Sequence, residues 1–263
     1  MASSTLPTNG RLVDIGTHSL ALYTHGPEPS SSKDPIVLFV SGVASDALNW
    51  QAVVRLLDSS VRSYTYDRLI LVGHSWAGVL THEYIALKGI DQVAGLVLVD
   101  ANHETHPLVM DVNDPILWGV IAAAQIYTRG MKRIQGGGSD KEEEENYSPS
   151  FETLRKKELS KKQPLLADRP VYVIGGTRSR DWTGLYRAGV ARGNGNEEQR
   201  AHVREMIKTV DAKSEGLMRE FLKLSTKSEL VFATESGHFV QMTQPEIVVD
   251  GVKWVLYNLQ TSS

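Results

Sequence analysis

The heptapeptide Val72-Gly73-His74-Ser75-Trp76-Ala77-Gly78 follows directly on the apolar run Leu69-Ile70-Leu71. It reads as a buried strand that breaks off in a sharp turn and enters a helix over Val79 to Lys88. A serine at the tip of such a turn is held out where a substrate can reach it. Its neighbours must be small, because the strained backbone leaves no room for larger side chains. The usual pattern is G-x-S-x-G. Here Ala77 takes the last place, with Gly78 one step on, and alanine is still small enough for close helix packing. The bare pattern recurs by chance as an incidental serine turn. Its position between a β-like run and a helical stretch marks Ser75 as a candidate nucleophile.

A buried strand of this kind needs neighbours. Residues 11–24 read as a β-hairpin turning near Gly16, and Ser30 to Asp34 as a polar loop. Pro35-Ile36-Val37-Leu38-Phe39-Val40 is a continuous apolar run, as expected of a parallel strand covered on both faces. The small-residue loop Ser41-Gly42-Val43-Ala44-Ser45 follows, and Trp50 to Leu57 has helical spacing. Gly95 to Val99 is another buried strand, ending at Asp100. Val171 to Ile174 is a third, ending in Gly175-Gly176. Glu229 to Ala233 is a fourth, followed by Ser236-Gly237-His238, and 245–258 reads as a closing amphipathic helix. Strands alternating with helices imply a mostly parallel, doubly wound α/β sheet flanked by helices.

Residues 105–169 interrupt the alternation. They hold a helix-like stretch from Pro115 to Tyr127, a Gly136-Gly137-Gly138-Ser139 loop and the run Glu142 to Glu145, which reads as a solvated loop. The expectation is a core of residues 1–104 and 170–263 with a helical cap over 105–169. Residues 196–225 read as a second long helical insertion.

At 263 residues and 41% hydrophobic, the chain can bury a sizeable single core. A formal net charge of −3 offers no basic footprint for nucleic acid. The absence of cysteine removes any disulfide framework or thiolate metal site. The segment Met1-Ala2-Ser3-Ser4-Thr5-Leu6-Pro7 lacks a basic-then-apolar leader, and the longest apolar-rich run, Ile116 to Tyr127, is too short for a membrane span. A cytoplasmic protein is the expectation. His103-Glu104-Thr105-His106 lacks the H-E-x-x-H spacing and a third ligand, so no metal and no cofactor is expected.

The serine elbow, the glycine-containing loop at Ser41–Ser45 and the late Gly237-His238 together resemble the α/β-hydrolase superfamily. The similarity runs over nearly the whole chain. It is strongest at Pro35–Trp50, Leu69–Glu83, Gly95–Asn102 and Ser236–Pro245. The resemblance implies a catalytic chain order of serine, acid, histidine, with His238 in Gly237-His238-Phe239-Val240-Gln241-Met242 as the base. His74 should point to the other side of the elbow. The superfamily mostly carries its acid after the strand that here is Val171–Ile174, yet no carboxylate stands at Arg178-Ser179. Asp181 comes slightly late, and Asp100 ends the preceding strand. An aspartate there sits at the carboxyl edge of the sheet, where ligands bind, so Asp100 is favoured and Asp181 stays open as the alternative. The oxyanion hole needs two backbone N–H groups, for which Trp76 and Val43 are the candidates.

One stretch fits poorly. Val61-Arg62-Ser63-Tyr64-Thr65-Tyr66-Asp67-Arg68 resembles a further strand of the superfamily, but only Leu69 to Val72 separates it from Gly73. Parallel strands need a crossover of roughly a dozen residues or more. A crossover helix is therefore expected to be missing, with irregularity at 61–70 and an under-covered sheet face beside Leu69–Val72. The leading expectation is a cofactor-free serine hydrolase for a small or medium apolar ester, lactone or thioester. The alternative is a catalytically impaired or ligand-binding relative, for which the missing segment is the main support.

Overall fold

Alternation along the strands decides which helices they meet. The computed structural model describes residues 10–14, 19–28, 30, 36–40, 47–57, 69–91, 93–121 and 141–260. Within these, β1 (Gly10–Asp14) and β2 (Ser19–Tyr23) form an antiparallel two-stranded sheet, closed by the pair Asp14 and Ser19. Five strands form the main sheet: β3 (Ile36–Val40), β4 (Leu69–His74), β5 (Val93–Val99), β6 (Val171–Gly176) and β7 (Ser228–Ala233). They lie side by side in sequence order and all pair in parallel.

Ile70, Val72, Val97, Val99, Tyr172 and Ile174 face one way. They meet α1 (Gln51–Leu56) through Val53, and a closing helix at Pro245–Gln260 through Val248, Val252 and Val255. The intervening residues Leu71, Leu96, Leu98, Val171 and Val173 face the other way. There they meet α2 (Ala77–Lys88) through Ile85, and a helix over Glu197–Phe221 through Val210, Leu217, Met218 and Phe221. Both faces are thus dry, which accounts for strands that read as continuous apolar runs. The remaining helices are α3 (His106–Val109), α4 (Pro115–Val120), α5 (Lys141–Lys156), α6 (Arg178–Ala191), α7 (Glu197–Phe221), α8 (Val240–Thr243) and α9 (Pro245–Gln260).

Three expectations need correction. Glu142 to Glu145 belong to α5 rather than to a loop. Residues 196–225 are not an insertion. α7 starts with a capping box, in which Asn196 and Gln199 each accept the other's backbone N–H. Its buried positions 203, 210, 214, 217, 218 and 221 recur at helical spacing; Val210, Leu217, Met218 and Phe221 cover the sheet, and Val203 packs against Leu117 and Val120 of α4. The third concerns the sheet face beside Leu69–Val72, not the short connection before it, which rests on Ser63–Arg68 outside the described residues. The neighbours β3 and β4 are joined through residues 41–68, of which a 3-10 turn at Ala47–Trp50 and α1 are described. Ile70, Leu71 and Val72 are buried, so the bare face expected beside them is not found among the described residues; at the edge, Leu38, Phe39, Val40 and Leu69 are half-buried. The pairing of β4 with β5 does slip register between Leu69 and Ile70. Ser63–Arg68, the loop with Val43, the Gly136–Ser139 loop and residues 122–127 lie outside the described residues. α4 ends at Val120, with Ile121 already extended.

Candidate active site

The elbow is built as a collision avoided. Ser75 has a φ of 57°, a left-handed conformation that an L residue adopts only at a cost of order 1–3 kcal/mol. Its carbonyl accepts the backbone N–H groups of Gly78 at 3.0 Å and Asn102 at 2.7 Å, which over-determine the turn. A Cβ on Gly78 would lie 2.5 Å from the Asn102 carbonyl oxygen, so position 78 excludes every side chain. A Cβ on Gly73 would lie 3.0 Å from the Ala77 Cβ, so glycine at 73 leaves room for the first turn of α2.

Asp100 is wholly buried at the end of β5, and it too has a positive φ, of 39°. Its Oδ1 accepts the Gly176 N–H at 3.1 Å, and its Oδ2 faces His238 Nδ1 at 2.6 Å. A carboxylate only accepts, so Nδ1 carries the hydrogen. Nε2 is then the acceptor, and it lies 3.0 Å from Ser75 Oγ. Burial pushes the Asp100 carboxyl up. The Arg178 charge, the His238 contact and the Gly176 N–H outweigh it and hold the group well below the usual carboxylate range. Arg178 Nε lies 2.9 Å from Asp100 Oδ2 as an ion pair off the hydrogen-bonding line, and Nη2 donates to the Asp100 carbonyl at 3.3 Å.

The structure therefore brings Ser75, His238 and Asp100 into one line. It places Asp181 elsewhere: in the first turn of α6, its Oδ2 accepts the backbone N–H of His238 at 2.7 Å. A Cβ on Gly237 would lie 2.2 Å from Asp181 Oδ1, so the glycine is what lets the carboxylate reach the loop. His74 does not turn away from the site. Its ring centroid is 4.4 Å from that of His238, and its Nε2 donates to the His238 carbonyl at 2.9 Å. Burial and the nearby His238 keep His74 well below its ordinary titration range. Trp76 immediately precedes α2, where the first backbone N–H groups have no intrahelical acceptor. Val43 lies outside the described residues.

α5 closes over this edge. Trp76 Nε1 donates to Ser150 Oγ at 2.9 Å, Asn102 Nδ2 donates to the Tyr147 hydroxyl at 2.9 Å, and Trp76, Val79, Phe151 and Leu154 form one apolar cluster. His106 stacks on Phe151, and the His103 ring packs edge-on against Phe221. Among the described residues no group of three or more His, Asp or Glu is placed to hold a metal ion, and no helix is long and apolar enough to cross a membrane.

Sequence reasoning overlooked Arg178, Asn102 and Tyr147. Arg178 had a signal, because a cation stands directly after the strand end Gly175-Gly176-Thr177. Nothing local in the sequence ties Tyr147 to Asn102. A serine hydroxyl held against an imidazole whose far nitrogen faces a buried carboxylate can lose its proton as it attacks an acyl carbon.

Known proteins agree with this architecture. A protein of Hormonema carpetanum described as "Probable transporter efuK" is 27% identical, over 93% of this chain and 42% of its own. The chain therefore spans less than half the length of that relative. An "AB hydrolase superfamily protein" of Gibberella zeae is 25% identical, over 90% of this chain and 91% of its own. Both alignments run over 297 positions, more than this chain's 263 residues, so these relatives carry residues with no counterpart here. Among solved structures, a membrane phospholipase A described as a bacterial virulence factor superposes with a TM-score of 0.56 at 18% identity, covering 95% of this chain and 86% of its own. A thermophilic esterase from Thermogutta terrifontis gives 0.56 at 13% identity, covering 95% and 98%. The profile of the alpha/beta hydrolase family matches residues 6–251, and with that the chain belongs to the alpha/beta hydrolase family.

Proposed function

We propose that this protein is a cofactor-free serine hydrolase that cleaves a small or medium, fairly apolar ester, lactone or thioester through an acyl-enzyme. The observation that carries the reading is the line Ser75 Oγ, His238 Nε2, His238 Nδ1, Asp100 Oδ2, with contacts of 3.0 and 2.6 Å. Ser75 Oγ bonds to the carbonyl carbon while its proton passes to His238 Nε2. Asp100 holds the imidazole in the required tautomer and stabilises the imidazolium. The backbone N–H groups of Trp76 and Val43 are the proposed donors to the oxygen that gains charge. The leaving alcohol or thiol takes the proton from His238. Water, deprotonated by the same imidazole, then releases the acid and frees Ser75.

Residues 105–169 are read as the cap, and the apolar cluster of α5 on the elbow supports an apolar acyl or alcohol group. The structural neighbours include an esterase from Rhodococcus and an N-acyl homoserine lactone degrading enzyme, chemistries compatible with this proposal. Incubation with a fluorophosphonate, followed by mass mapping, tests the nucleophile. A panel of short-chain esters, thioesters and lactones tests the substrate class.

One observation favours a second reading, a ligand-binding or impaired member of the family: the relatives carry residues that this chain lacks. Labelling discriminates the two, because only an activated serine reacts.

A further inference from the structure

Arg178 is a buried cation that the proposed chemistry does not use. It opens α6, is 9% exposed, and puts its Nε beside the same Asp100 oxygen that receives His238 Nδ1. One carboxylate oxygen thus faces two cation-forming groups. We propose that Arg178 is a positioning residue that fixes Asp100 as an anion against His238 and, by sharing that anion's charge, leaves the imidazole neutral so that Nε2 can accept the Ser75 proton. The proposal rests on the serine-hydrolase reading for its consequences on rate, but not for its consequences on charge.

The physics is a choice of where one proton sits. A carboxylate with no exposure is costly to keep charged unless it is paired. Without Arg178, Asp100 has the Gly176 N–H and His238 left. Either Asp100 takes up a proton, and can no longer stabilise an imidazolium, or it draws one onto His238, and Nε2 is occupied. Both outcomes remove the base from Ser75. With the guanidinium in place the anion is already compensated, and the imidazole need not be protonated to satisfy it.

Among the described residues the surroundings supply no substitute cation. His74, from the end of β4, is held neutral by burial and by His238. His106, from α3, is likewise held neutral by burial, with the Arg178 charge adding to the effect. Tyr147, from α5, is kept protonated by burial. Asp181, from α6, is engaged with the His238 backbone. Arg178 is therefore the permanent charge of this cluster.

The test compares Arg178→Gln and Arg178→Lys with the unaltered protein, using two readouts on the full chain. The first is the pH dependence of fluorophosphonate labelling. In Arg178→Gln its acid limb should move up by about one pH unit or more, because the Asp100 charge is then left to His238. In Arg178→Lys, which keeps the charge but not the fork, labelling should slow with the limb in place. The second readout is thermal melting from about pH 4 to about pH 7 and needs no activity. In Arg178→Gln the Asp100 carboxyl should rise above its unfolded value of about 3.9. The variant then loses stability as pH rises through that range, and its melting deficit widens towards neutral pH. A deficit that is flat with pH, together with an unmoved acid limb, overturns the proposal and leaves Arg178 a packing residue. If Arg178→Gln does not fold, Asp100→Asn is compared with Asp100→Asn/Arg178→Met. The double variant should melt higher, because the single one strands a buried guanidinium, and equal or reversed melting overturns the proposal. A protein that is never labelled at any pH defeats the serine-hydrolase reading instead, and the melting series still decides the role of Arg178.

Discussion

Asp181 holds His238 by its backbone, not by its ring. The Asp181 Oδ2 accepts the His238 N–H at 2.7 Å, while the imidazole of the same residue turns its Nδ1 to Asp100 at 2.6 Å. Two carboxylates thus share one histidine, and their roles are separable. Asp100→Asn should lower turnover on the order of 10⁴-fold, as expected when the residue that orients the imidazole can no longer accept from its N–H. Asp181→Asn keeps an amide oxygen that can still accept the His238 N–H and loses only charge assistance, so a reduction of about tenfold or less is expected. Steady-state kinetics on both variants, with any ester that the protein turns over, checks the ranking.

The main strands and the serine elbow were legible in the sequence because each is local. Short continuous apolar runs declare buried parallel strands, and β3 to β7 follow those runs closely. The pairing of His238 with Asp100 rather than Asp181 was favoured from strand position but could not be fixed. Both aspartates lie at the correct sheet edge, and only the tertiary path of the Gly237 loop decides which one meets the ring. The helix over Glu142–Glu145 was missed because a run of like charges carries no apolar stripe, and the residues that dock α5, Tyr147, Phe151 and Leu154, lie beyond it. The expected bare sheet face failed for a related reason. Cover for Ile70 and Val72 comes from α1 and α9, the latter far away in sequence.

Tyr147 makes one of the polar contacts between α5 and the loop after β5, beside the Arg155 Nη1 bond to the Glu104 carbonyl. Its hydroxyl accepts from Asn102 Nδ2, and the Asn102 Oδ1 has no partner of its own among the described residues. Tyr147→Phe should cost about 1–3 kcal/mol of stability by stranding the buried amide. It should leave the Ser75–His238–Asp100 contacts in place. Chemical denaturation of the variant beside the unaltered protein gives the difference, and an unchanged stability would show that water reaches Asn102.

Two of the buried histidines, His103 and His106, contribute to an acid limit. Burial lowers His106 to about 3 and His103 to about 4. In the unfolded chain both titrate near 6.5. The folded state therefore binds fewer protons below that value, so stability is whole above about pH 6.5 and falls as pH drops towards the folded values. His106→Phe, which keeps a ring against Phe151, should make the fall in melting temperature from about pH 6.5 to about pH 4 shallower. Melting curves at three pH values measure this, and parallel slopes for the two proteins would exclude His106 as a source.

The central claim is that Ser75 is an activated nucleophile, and the most direct measurement is mass mapping of a fluorophosphonate adduct on the full chain. One adduct is expected, on the peptide containing Ser75, together with hydrolysis of a short-chain ester. Ser75→Ala should lose both while melting within a few degrees of the unaltered protein, since only one oxygen at a half-buried turn is removed. An adduct on a different residue, or ester hydrolysis that persists in Ser75→Ala, would contradict the claim.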